Sequence, residues 1–189
     1  RVSCKFKIAL GLFLTRFFYV RLEHDMIIAL HGDYANADML KRDVGDFAPL
    51  VNCFWDASGW RPAKREISKL ERYIKSLSEP PTLIGYSRGG SIIAMLSNKY
   101  PIRAAVLYES PVLDSFTVGG TFPVLQIWND QGFLTGKRSG QARAAQEVWK
   151  RNHPVTELQG IGTHVRTHPI GHGWDVGLND RIRDWILAC

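Results

Sequence analysis

Continuous apolar runs of strand length recur along this chain, and stretches with helical periodicity separate them. Met26–Leu30, Val51–Trp55, Thr82–Tyr86, Arg103–Tyr108 and Pro123–Trp128 are such runs. Each is bounded by Gly, Pro, Asn, Asp or Ser, as buried strands usually are. Between them, residues 63–77 carry Ile67, Leu70, Ile74 and Leu77 at three- and four-residue spacing, which predicts an amphipathic helix stopped by Pro80-Pro81. A helix is also expected over about 35–48, although Gly45 weakens it. Others are expected over 88–99, about 139–151 and 178–187. Thr163–Thr167, with alternating β-branched residues, is expected to be the last strand, and Asn179 or Asp180 to lie in the cap region of the final helix. Buried strands alternating with helices predict a three-layer α/β/α sandwich around a mostly parallel sheet. In such a sheet, ligands bind at the carboxyl ends of the strands. That edge would gather His31-Gly32, Ser87, the Glu109 loop and the Asn129-Asp130 loop.

One stretch changes the picture from architecture to chemistry. Gly85-Tyr86-Ser87-Arg88-Gly89 lies between an apolar strand and an apolar helix. A Gly-x-Ser-x-Gly turn in that setting is a nucleophile elbow. Its tightness forces the serine into a strained backbone conformation, and strain of that kind marks functional sites. The hydroxyl then projects above the sheet edge at a helix N-terminus, among backbone N–H donors.

A serine hydroxyl needs a base. His172 sits in Gly171-His172-Gly173 between the expected last strand and the last helix, where glycines let an imidazole reach across the edge; His168 is the second candidate. The base in turn needs a carboxylate to hold its tautomer. Asp130, just after the Pro123–Trp128 strand, comes first and Asp114 second; Asp175 stands too near His172 in sequence to orient it easily. The oxyanion donors would be the backbone N–H of Arg88 and that of Asp33 or Tyr34. His31 reads as a structural hydrogen-bonder. His164, His168 and His172 are four apart, but Pro169 and Gly171 break any helix that could present them to a metal, and no HExxH pattern exists.

The order Ser87, Asp130, His172, with His31-Gly32 upstream, resembles that of α/β-hydrolases. Over about residues 26–188 the chain is similar to compact esterases of the carboxylesterase and dienelactone-hydrolase type. The resemblance implies an acyl-enzyme on Ser87, an ester or thioester as small-molecule substrate, and no metal or cofactor. It departs from the family at two places. The acid there commonly ends a Gly-x-x-Asp pattern, where this chain has Gln131-Gly132, and the strands that precede His31-Gly32 in the family are missing or reduced to residues 1–25. Only 14 residues separate Tyr108 from Pro123, so no helical cap domain is expected there and the site should be open. A reading from another class is a binding protein that keeps the fold with an idle triad.

Composition narrows the rest. The 189 residues, 45% hydrophobic and 22% charged, suit one domain, residues 26–189, with a sizeable core. Residues 1–25 form an N-terminal extension that carries five of the basic residues against Glu23 and Asp25, so half of the net charge of +6 lies there. Its apolar run is broken by Arg16 and falls short of the roughly 20 residues needed to cross a bilayer. An edge strand, an amphipathic surface segment or a membrane contact are the alternatives for it. In the body, Lys64, Arg65, Lys69, Arg72 and Lys75 are interleaved with Glu66 and Glu71, which reads as a solvated helix face, not a nucleic-acid groove. Three cysteines with no CxxC pair point to a reducing compartment, the cytoplasm.

Overall fold

Mostly apolar runs can be buried on both faces, and four of the six strands described here are buried throughout. The computed structural model describes residues 26–32, 37–44, 51–53, 64–110, 118–129, 147–151, 153–160 and 174–189. The strands are β1 (Ile27–Leu30), β2 (Val51–Cys53), β3 (Thr82–Tyr86), β4 (Ala104–Tyr108), β5 (Val124–Asn129) and β6 (Val155–Gly160). They form one sheet in the order β2-β1-β3-β4-β5-β6, and every pairing is parallel. The helices are α1 (Ala37–Val44), α2 (Lys64–Ser76), α3 (Arg88–Ser97), α4 (147–151) and α5 (Asn179–Ala188), with a 3-10 turn, Val176–Leu178, leading into α5.

Side chains alternate across a strand, so β1, β3, β4 and β5 each feed two cores. Ile28, Leu30, Leu83, Ala105, Leu107 and Val124 pack under α2, α3 and Trp149 of α4. Ile27, Ala29, Ile84, Val106, Leu125 and Ile127 pack under Leu40 and Val44 of α1 and Ile182 and Ile186 of α5. The result is the expected three-layer sandwich. From β1 the chain runs to β2 on one side, whereas from β3 it runs to β4 on the other, and α1 and α3 lie on opposite faces. The carboxyl ends of β1 and β3 therefore flank a topological switch point, where open α/β sheets form their binding crevice.

One strand was not expected, and one expectation is corrected. The last described strand is β6, Val155–Gly160; the expected strand Thr163–Thr167 lies outside the described residues. Among the described residues β6 is an edge strand, with Thr156 and Glu157 exposed and Val155 and Leu158 partly covered, so it lacks the apolar run that announces its neighbours. Neither Asn179 nor Asp180 caps the final helix. Asp175 caps the 3-10 turn instead, its carboxylate accepting from Gly177 N–H at 2.9 Å. Asn179 donates to the carbonyls of Asp43 and Val44 at 3.1 and 3.0 Å, closing the C-terminal end of α1. Residues 1–25, 130–146 and 161–173 lie outside the described residues, as do the whole predicted loop 58–62 and Asp114. Among the described residues no helix is long and apolar enough to cross a membrane.

His153 links this packing to pH. It is buried between β5 and α4, with its ring against Phe122 (4.5 Å) and Trp149 (5.1 Å). Burial pushes its pKa below the ordinary histidine value of 6.5, against the weaker upward pull of the Trp149 and Gly119 carbonyls. The unfolded chain thus takes up a proton near pH 6.5 while the fold still refuses it. The stabilising difference is complete above pH 6.5 and is lost as pH falls through the depressed native value. Wild type should lose thermal stability more steeply between pH 6.5 and 5 than His153→Phe does. Parallel melting curves across that range check this; equal slopes would contradict it.

Candidate functional site

The strand-to-helix turn after β3 is possible only because two glycines remove Cβ atoms from it. A Cβ on Gly85 would lie 2.6 Å from Gly90 N, and one on Gly89 would lie 2.2 Å from the Leu30 carbonyl oxygen. Both contacts are with backbone, so α3 could not start this close to β1 and β3 with any other residue there. Ser87 takes the bend itself, with φ 52° and ψ −121°, a conformation L residues rarely adopt. It stands at the N-cap position of α3 yet makes no capping hydrogen bond with its side chain. The hydroxyl is therefore not spent on the helix, although serine at that position normally is.

Both neighbouring strands hold the elbow. On the β1 side, a Cβ on Gly32 would lie 2.6 Å from Ser87 Cβ and 3.1 Å from its Oγ, so the His31-Gly32 backbone is in direct contact with the serine side chain. This is the switch point. His31 is buried and its Nδ1 lies 2.8 Å from the Gly32 carbonyl, the structural role expected of it. On the β4 side, Ser87 N–H donates to the Tyr108 carbonyl at 2.8 Å. Ser110 is buried and its hydroxyl donates to the Gly85 carbonyl at 2.8 Å, tying the loop after β4 to the elbow strand.

Ser87 and Arg88 thus stand where the sequence places them. Arg88 opens α3, so its N–H follows the serine at the positive end of a helix. Asp33, Tyr34, Asp130 and His172 lie outside the described residues, but residues beside two of them are described. Asn129, the residue before Asp130, ends β5 and is buried. Trp174, two residues after His172, stacks on Tyr108 with ring centroids 4.3 Å apart, and Tyr86 meets it edge-on at 6.3 Å. Burial pushes the Tyr86 phenol well above the ordinary tyrosine range, helped by the charges of Asp43 and Glu109. Burial does the same to Tyr108, with Asp175 and Glu109 adding to it against the bond from the Asp175 backbone. Tyr108 therefore keeps its proton and works as a hydrogen-bond junction. Its hydroxyl donates to Asn129 Oδ1 at 2.9 Å and accepts from Asp175 N–H at 2.7 Å.

In the sequence, one residue of this edge looks like no more than part of a strand-breaking loop. Glu109 follows β4, is fully buried, and has φ 47°. Its Oε1 accepts the N–H of Asn129, and its own N–H donates to the Ile127 carbonyl at 2.9 Å. Glu109-Ser110-Pro111 carries no apolar pattern, and nothing in it signals a carboxylate taken wholly out of water.

No family model matches the chain, and no curated protein matches it. Solved structures do. The carboxylesterase of Bacillus cereus is similar with a TM-score of 0.58 and 15% identity, over 87% of this chain and 88% of that one. A Pyrococcus furiosus esterase gives 0.58 and 17%, over 86% and 81%. A monoacylglycerol lipase of Paleococcus ferrophilus gives 0.57 and 12%, over 86% and 93%. At these identities the likeness establishes the fold: this is a minimal α/β-hydrolase sheet with helices on both faces.

Proposed function

We propose that this chain, which has the α/β-hydrolase fold, is a serine hydrolase that cleaves carboxylic esters or thioesters through an acyl-enzyme on Ser87. The observation that carries the proposal is the strained, uncapped Ser87 at the switch point, in contact with Gly32. A fold keeps a non-glycine residue in such a conformation where the strain serves a purpose. Solved structures of similar fold that are named for ester cleavage support the same class.

In this reading Ser87 Oγ attacks the substrate carbonyl while His172 takes its proton. The oxyanion sits on the N–H of Arg88 and that of Asp33 or Tyr34. The tetrahedral adduct collapses, the ester C–O or thioester C–S bond breaks, and His172 returns the proton to the departing alcohol or thiol. Water, deprotonated by His172, then attacks the acyl-enzyme and releases the acid. In sequence, Asp130 directly follows β5 and Glu109 directly follows β4.

Turnover of p-nitrophenyl acetate and longer-chain esters tests the reading. His172→Ala should lower kcat by roughly 1,000-fold or more while the protein stays folded. A folded wild type without turnover on any chain length, or a His172→Ala variant as active as wild type, would contradict it.

A further inference from the structure

Taking Ser87 as the nucleophile, the assignment on which this inference rests, we propose that Ser110 is a positioning residue of the reaction, whose hydroxyl locks the two halves of the elbow in the geometry that holds Ser87 for attack.

The elbow carries one glycine more than its turn motif asks for. Gly85 and Gly89 are the glycines of Gly-x-Ser-x-Gly, whereas Gly90 lies beyond the motif, in the first turn of α3, where glycine is an unfavourable residue. Ser110 accounts for it. A Cβ on Gly90 would lie 2.3 Å from Ser110 Cβ and 2.5 Å from its Oγ, while the next nearest atom, Leu107 Cδ2, would stand 3.4 Å away, at van der Waals distance. The side chain of Ser110 therefore fills the place that a side chain at position 90 would take.

From that place Ser110 holds the strand half of the elbow as well as the helix half. Its hydroxyl donates to the Gly85 carbonyl at 2.8 Å, two residues before Ser87, and lies 3.1 Å from the Tyr108 carbonyl oxygen. That same Tyr108 carbonyl accepts the Ser87 N–H at 2.8 Å. One side chain is thus seated against Gly90 after the bend and bonded to Gly85 before it, a single carbonyl away from the strained residue between them. A conformation such as that of Ser87, with φ 52°, persists only where the surroundings over-determine it. Ser110 is buried, so bulk water does not compete for these bonds. Without the hydroxyl the turn can relax and carry Ser87 Oγ with it, and a displacement of about 1 Å costs on the order of 100-fold in rate.

The variants separate the hydroxyl from packing. Ser110→Ala keeps the Cβ beside Gly90 and removes only the hydroxyl. It should lower kcat on p-nitrophenyl acetate roughly 10- to 100-fold. KM should change by less than about 3-fold, and fluorophosphonate labelling of Ser87 should slow by the same factor as kcat. Ser97→Ala is the control. Ser97 is buried at the other end of α3, where its hydroxyl donates to the Ala94 carbonyl at 2.7 Å and accepts the Gly119 N–H at 3.0 Å. Its loss should lower the melting temperature yet leave kcat and the labelling rate within about 3-fold of wild type. Moving one Cβ across the contact tests volume. Gly90→Ala alone overpacks against Ser110. Gly90→Ala with Ser110→Gly should recover most of the melting temperature lost by Gly90→Ala, without recovering kcat.

Ser110→Ala within about 3-fold of wild type in kcat and labelling rate, or Ser97→Ala losing as much activity as Ser110→Ala, would overturn the inference. So would a double variant that regains wild-type kcat, or one no more stable than Gly90→Ala alone. Should Ser110→Ala lose its fold by circular dichroism, the double variant decides: folded with depressed kcat supports the role of the hydroxyl, and either of its other outcomes overturns it. Wild type that is folded yet neither turns over nor is labelled at Ser87 overturns the hydrolase reading and this inference together. Wild type labelled at Ser87, with Ser110→Ala labelled as fast, overturns this inference only.

Discussion

Ser87→Ala is expected to lower kcat on ester substrates by roughly 10,000- to 1,000,000-fold, down to whatever the oxyanion donors and binding supply without a nucleophile. The Ser87→Ala, His172→Ala double variant should be no worse than either single one, because the two residues act as a unit. The same position makes a second, opposite prediction about stability. Ser87 holds φ 52°, and strain of this kind costs about 1–3 kcal/mol. Glycine adopts that conformation freely, at an entropic cost of about 0.5–1 kcal/mol. Ser87→Gly should therefore be inactive yet at least as stable as wild type, by denaturant titration. A serine kept only for packing would behave the other way: Ser87→Gly would lose stability and Ser87→Ala would keep its activity.

The largest effect on folding is expected from Gly89→Ala. Intrinsic helix preference favours alanine over glycine by about 1 kcal/mol. Against it stands a Cβ placed 2.2 Å from the Leu30 carbonyl oxygen, with Leu30 C at 2.9 Å and Leu30 Cβ at 3.1 Å. The nearest two atoms are backbone in the interior strand β1, so relief requires α3 to move away from the sheet. Overpacking of this severity costs roughly 3 kcal/mol or more, which outweighs the propensity gain. The variant should melt well below wild type. It should also be less active than its folded fraction accounts for, because α3 carries Ser87 and Arg88. A variant as stable as wild type would mean that α3 is not seated on β1 as described.

How much of this was readable beforehand follows from what each element depends on. β1, β3, β4 and β5 are buried on both faces, so their apolar runs are local and visible in the sequence. The elbow was readable for the same reason, since Gly85, Ser87 and Gly89 are demanded by one tight turn. β6 was missed because an edge strand needs little apolar surface, and Val155-Thr156-Glu157-Leu158 offers little. Asn179 looked like a helix cap, whereas its partners, the carbonyls of Asp43 and Val44, lie more than 130 residues away. Glu109 was hidden most thoroughly. Its burial is created by β5 and Asn129 on one side and the elbow on the other, and its own neighbours in sequence read as a turn. Tertiary context, not local pattern, buries it.

The network around Tyr108 gives the site its coherence. One phenol joins the end of β5, through Asn129, to the segment ahead of α5, through Asp175 and Trp174. The residue after it is Glu109, and its carbonyl takes the Ser87 N–H. Ser87, the buried Glu109 carboxylate and the segment ahead of α5 are thus referred to a single strand end.

Reaction of the folded wild type with a fluorophosphonate, followed by peptide mapping, tests the central claim most directly. The account predicts one modified peptide, carrying the adduct on Ser87, and a labelling rate that collapses in His172→Ala. A folded protein that stays unlabelled, or that is labelled on another residue, would contradict it.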